Sequence, residues 1–182
     1  MLDKDIISVL NFWFEECDPK DWFKKNKDFD NSVRTKFKNL IEKALNNRLD
    51  SWESNKEGCL ALIILLDQFT RNIFREDKRA FSGDKRALQL SSKCVQENYL
   101  SSSPPEWCHF MLIPMMHSEN IVTQNQSLAL FKKYTSNQTY DFALRHQKII
   151  EKFGRFPHRN KILTRESTEQ EKKFLRMPGS SF

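Results

Sequence analysis

The hydrophobic pattern of the chain repeats at helical spacing almost from end to end. Ile6, Ile7, Val9, Leu10, Trp13 and Phe14 define a first amphipathic helix over Asp3 to Glu16, with Asp3 as its cap and Asp18-Pro19 as its stop. Phe29, Val33, Phe37, Leu40, Ile41 and Leu45 line a second over Asp28 to Asn46. A third, from Lys56 to Phe74, begins as the most apolar stretch of the protein, Cys59 to Leu66, and then turns polar with no turn signal. Its residues Asp67, Gln68, Arg71, Asn72 and Arg75 share one arc of the helix, where Leu60, Ala61 and Ile64 stand two turns earlier. This predicts a helix buried all round in its first half and opposed by polar groups in its second.

Further helices are predicted from Ser82, as cap, to Asn98, from Glu106 to Ile113 with Pro114 ending or kinking it, and from a Ser118 cap to Tyr134. Two more are predicted from Tyr140 to Phe153, closed by Gly154, and from Glu169 to Arg176 behind the capping box Thr168-Glu169-Gln170-Glu171. Trp22-Phe23 reads as an aromatic plug, Trp52 as a residue needing a core position, and Pro178 to Phe182 as a fraying tail. No run of alternating β-branched residues occurs. The pattern predicts an all-α fold with seven to eight helices, stacked as antiparallel hairpins through short connections, in a single helical domain spanning residues 1–182.

Composition adjusts this picture in three places. Hydrophobic residues make up only 38% of the chain, but 15 phenylalanines supply large buried areas per ordered residue. The net charge is +6, and most of it lies from Asp141 onward, where ten Lys/Arg face five Asp/Glu. Such a basic C-terminal quarter is compatible with an anionic partner. The four cysteines form no CxxC pair, and three sit in apolar helical runs, which reads as reduced thiols in a reducing compartment. Acidic Asp3 and Asp5 interrupt any signal sequence, and no apolar run reaches membrane-spanning length, so a cytoplasmic location with no membrane association is expected.

Three stretches then carry a resemblance: Leu60 to Asn72, His117-Ser118-Glu119, and Phe153-Gly154-Arg155-Phe156-Pro157-His158-Arg159-Asn160. Val9 to Phe14 and Trp22-Phe23 fit the same pattern. Together they resemble the uncharacterised, largely bacterial family called domain of unknown function 924, over nearly the whole chain. The resemblance implies a tetratricopeptide-like helical fold and no activity, and no functional residue follows from it. Two positions depart from the family pattern: Thr70 stands where proline is usual, and Asn120 where an acidic residue is usual.

Three polar clusters offer chemistry. Asp67 and Arg71, one helical turn apart, read either as a carboxylate and guanidinium facing a pocket or as a structural ion pair. His117 and Glu119, just before a helix, read as a general base with an orienting carboxylate, or as a cap beside a histidine bonded to a carbonyl. Arg155, His158 and Arg159 occupy a loop without acidic residues and make the expected ligand-binding segment for carboxylate or phosphate, unless Arg155 and Arg159 pair with Asp67 or Glu119 instead. His146 on its apolar face reads as a satisfied core histidine. There is no HExxH motif, Gly-rich phosphate loop or nucleophile elbow, so no metal and no cofactor is expected.

Two functions fit. One is a helical binding module with a polar groove lined by His, Glu and Arg, taking a small anionic molecule or a peptide. The other is a metal-independent hydrolase or transferase acting on an anionic substrate, with His117 as general base. Nucleic-acid binding ranks below both, because Phe153 and Phe156 suit core anchoring better than base stacking.

Overall fold

A computed structural model describes residues 2–23 and 25–180 of the chain. The described residues form helices α1 (Lys4–Asn11), α2 (Lys27–Leu45), α3 (Lys56–Ile63), α4 (Thr70–Ile73), α5 (Asp84–Gln96), α6 (Pro105–Met116), α7 (Ile121–Tyr134), α8 (Asn137–Phe153) and α9 (Glu169–Leu175), with no strand among them. The stretch between α3 and α4, Ile64–Phe69, is π-helical, so α3 and α4 make one continuous rod. A second π-helical stretch, Phe12–Glu16, prolongs α1. The fold is all-α, as the pattern predicts.

Several local signals act where the sequence places them. Asp3 accepts from the Asp5 N–H at the start of α1, and its other carboxylate oxygen accepts from Trp52 Nε1 at 3.0 Å. That bond gives Trp52, 3% exposed, both its core position and its polar partner. Thr168 and Glu171 form the reciprocal capping box of α9. Gly154 ends α8 with φ +67°, the left-handed conformation that glycine adopts without cost.

Other boundaries shift for identifiable reasons. Asn120, not Ser118, caps α7, because its Oδ1 accepts from both Val122 and Thr123 N–H groups. Ser136 caps α8 three residues earlier than expected, drawing Asn137 to Thr139 into the helix. Pro114 does not end α6, which runs on to Met116. Ser82 turns its hydroxyl back to the Arg79 carbonyl, and α5 begins after Gly83 without a side-chain cap. Of the predicted tail, Ser181 and Phe182 lie outside the described residues, while Ser180 is buried and donates to the Leu175 carbonyl.

The rod of α3 and α4 is the axis of the core. Every residue from Gly58 to Thr70 is buried, Asp67 and Gln68 included. Phe69 meets Phe37 at 5.0 Å and Trp13 at 5.4 Å between ring centroids, and Trp13 continues to Phe110 at 5.4 Å. This aromatic chain joins α1, α2, the rod and α6 into one cluster. A smaller cluster of Ile149, Ile150 and Phe156 seats the C-terminal segment on α8.

Candidate functional site

Asp67 lies in the π-helical part of the rod and is fully buried. Isolated, a carboxylate there would be neutralised or excluded. Three donors, His117, Arg71 and Gln68, keep its carboxylate ionised. The His117 ring approaches Oδ1 through Nδ1 at 2.8 Å, Arg71 NH1 lies 3.2 Å from the same oxygen, Gln68 donates to Oδ2, and Arg71 also bonds the Asp67 backbone carbonyl at 2.6 Å. Burial works to raise the Asp67 carboxyl, but Arg71 and His117 outweigh it and hold it below the ordinary carboxylate range. An ionised carboxylate only accepts, so His117 carries a proton on Nδ1, and in its neutral form Nε2 is the basic nitrogen.

Asp84, in the first turn of α5, extends the network. Arg71 reaches it with NH1 at 2.9 Å and NH2 at 3.1 Å, and Arg159 NH1 lies 3.5 Å from its Oδ2. Gly83 makes this approach possible. A Cβ there would fall 2.2 Å from the Leu66 carbonyl oxygen, so only glycine lets α5 start this close to the rod. Arg159 is 6% exposed and packs against the rings of Phe156 at 4.6 Å and Phe81 at 4.9 Å. Burial, then the charge of Arg71, push its guanidinium down to about 10. Its Nε has no hydrogen-bond partner among the described residues.

Three of the four histidines meet at the cluster, His117, His146 and His158, and His109 lies beyond it against Phe23 and Phe110. The His146 ring stands 6.3 Å from that of His117 and donates through Nδ1 to the Phe142 carbonyl at 2.8 Å. Phe156 lies between His146 and His158, 5.6 Å from each. His109, on α6 with His117, sits 3.0 Å from the Thr139 hydroxyl. Burial lowers every one of them, His109 and His158 to about 4 and His146 to about 3, and the nearby His117 adds to each shift. His117 itself is lowered by burial, with Asp67 pulling the other way.

The structure thus joins Asp67, Arg71, His117, His158 and Arg159. Two residues singled out in the sequence stand apart. Glu119 does not orient His117: its carboxylate accepts from the Phe156 N–H at 2.8 Å and from Arg165 at 2.7 and 3.0 Å, which fastens the 156–165 segment to the start of α7. Arg155 pairs with the buried Glu171 at 2.7 and 2.9 Å and bonds the Glu166 carbonyl, so it anchors α9. Asp84 and Arg165 were not singled out. The signal beside Asp84 is Gly83, a glycine at a helix start. Two cavities open elsewhere, one of about 540 Å³ beside Glu119, Ile150 and Gly154 and one of about 480 Å³ beside Arg34 and Arg75. In the cluster the side chains of His117, Arg71 and Asp84 stay 16%, 22% and 25% exposed.

Fold and site together define an all-helical protein with a buried, histidine-rich ion-pair cluster at the junction of the rod, α5, α6 and the C-terminal loop. The chain belongs to the family described as bacterial protein of unknown function (DUF924), whose model matches residues 9–179. It is similar to the solved structure of a protein of unknown function, ATU0120, from Agrobacterium tumefaciens. The two share 32% identity and a TM-score of 0.89 over 94% of this chain and 96% of that one. A comparison with curated proteins finds no match. No helix among the described residues is long and apolar enough to cross a membrane.

Proposed function

We propose that the chain binds a small anionic molecule at this cluster, with Arg159 and His117 as its contacts. The Arg159 guanidinium carries the reading. It is buried, holds the Asp84 carboxylate only at 3.5 Å, and keeps an Nε–H without an acceptor among the described residues. Buried charged donors are ordinarily satisfied, and a carboxylate or phosphate oxygen supplies the missing acceptor in the two-point geometry that guanidinium favours. The test is a thermal-shift series with acetate, phosphate and citrate against chloride at matched ionic strength. An anion at a hundred times its dissociation constant adds about 2.7 kcal/mol to apparent stability. Arg159→Gln is expected to remove the shift, and an unchanged shift in that variant sinks the reading.

A second reading rests on the 2.8 Å contact between His117 and Asp67. A carboxylate that fixes the imidazole tautomer leaves Nε2 ready to take a proton, which suits hydrolysis or transfer at an ester of the bound anion. It predicts slow turnover of carboxylate or phosphate esters that His117→Gln abolishes while the fold persists. Turnover equal in wild type and variant rejects it.

A further inference from the structure

The polar arc of the rod has two edges, and the second builds a separate site. Asn72 Nδ2 donates to Asp30 Oδ1 at 2.9 Å, Arg75 NH2 donates to the same oxygen at 2.8 Å, and Arg75 Nε donates to Oδ2. Asp30 and Asn72 are 9% and 6% exposed. This carboxylate is satisfied by three donors and neutralised by a guanidinium, so it forms a polar floor with little charge of its own. The cavity of about 480 Å³ opens at this floor, between the start of α2 and the end of α4. Lys25, Lys27 and Arg34 also line it, together with the exposed carboxylate of Glu76. Arg34 is fixed in place by its bond to the Ile73 carbonyl at the end of the rod. Cations around a concave, low-dielectric wall focus a positive field into it. A fixed guanidinium and two exposed ammoniums match the oxygens of a phosphoryl group.

We infer that this cavity is a binding site for the phosphoryl group of a small molecule, with Arg34 and Lys27 as its principal contacts and the Asp30–Asn72–Arg75 network as its floor. The site is independent of the cluster around Arg159. The reaction of the protein to inorganic pyrophosphate tests it, by calorimetric titration and thermal shift with chloride at matched ionic strength. Arg34→Gln and Lys27→Gln are each expected to weaken binding tenfold or more. Lys43→Gln, which removes an exposed charge elsewhere on α2, is expected to change it less than twofold. The titrations are made in the wild type and in an Arg159→Gln background, where the cluster around Arg159 no longer takes the anion, so the binding that persists there belongs to this cavity. Lys27 is exposed, so its variant keeps the fold and reports on the site even if Arg34→Gln does not. Three results overturn the inference: no binding once Arg159 is replaced by Gln, equal weakening by Lys43→Gln, or, in that same background, citrate binding as tightly as pyrophosphate, which reassigns the cavity to general anion attraction.

Discussion

Asp67 Oδ1 lies 2.8 Å from His117 Nδ1, joining the middle of the buried rod to the end of α6 across 50 residues of sequence. The bond works in both directions: His117 helps keep a fully buried carboxylate ionised, and the carboxylate fixes the tautomer of the ring. Asp67→Asn retains the shape and removes the charge. It leaves Arg71 with Asp84 as its remaining carboxylate and is expected to destabilise the fold by about 3 kcal/mol or more, read as a lower urea midpoint with an unchanged slope. The His117 ring, deprived of the partner that raises it, is then expected to titrate still further below the ordinary histidine range, which NMR of its ring protons measures.

The histidines predict an acid-sensitive fold. An unfolded chain takes up their protons near the ordinary value of 6.5, whereas the folded chain refuses them until about 4 at His109 and His158 and about 3 at His146. Because the folded values are depressed, the stabilisation is complete above 6.5 and is lost as the pH falls from there toward 3. Each histidine contributes a slope of about 1 kcal/mol per pH unit within that window. Urea midpoints between pH 7 and 4 should decline steeply. His146→Phe should flatten the decline, and an equally steep one in that variant contradicts the assignment.

The helices were legible because apolar residues at spacings of three and four, together with Asp3, Gly154 and Thr168, carry direct physical instructions. The polar arc of Asp67 to Arg75 was legible for the same reason. Its splitting between two neighbours was not: Asp67 and Arg71 turn to His117 and Asp84, while Asn72 and Arg75 turn to Asp30. The π-helical stretch Ile64–Phe69 also left no mark in the hydrophobic pattern, since residues buried on every side show no face that a change of period would displace. Partner choice escaped for a different reason. Arg155, Arg159 and Arg165 are equivalent guanidiniums on one segment, and only the folded path decides that they meet Glu171, Asp84 and Glu119 respectively.

Gly83 is the hinge of the Asp84 contact. Gly83→Ala places a methyl group 2.2 Å from the Leu66 carbonyl oxygen, a backbone atom in the buried rod that cannot swing aside. The start of α5 must move instead, which withdraws Asp84 from Arg71 and Arg159. A loss of about 1–3 kcal/mol is expected from the overpacking. The anion-dependent thermal shift should change with it, whereas Gly154→Ala, where a Cβ meets nothing within 4 Å, should cost stability through its positive φ alone and leave the anion response intact.

Arg155 offers a test that separates anchoring from ligand contact. Its guanidinium meets both oxygens of Glu171, a carboxylate 2% exposed that also accepts from the Thr168 N–H in the capping box. The bonds from Arg155, and that capping bond, hold Glu171 down to about 2. Arg155→Gln removes the charge that Glu171 was buried against and is expected to loosen α9 without disturbing the rod. Limited proteolysis should then cut between Lys161 and Lys173 faster than in the wild type, while near-ultraviolet signals from Trp13 and Trp52 stay unchanged. Because Glu171 is depressed in the folded state, the protection it gives is present above its unfolded value and is lost as the pH falls toward about 2. If Arg155→Gln instead abolishes the anion response while leaving protease resistance intact, Arg155 contacts the ligand itself.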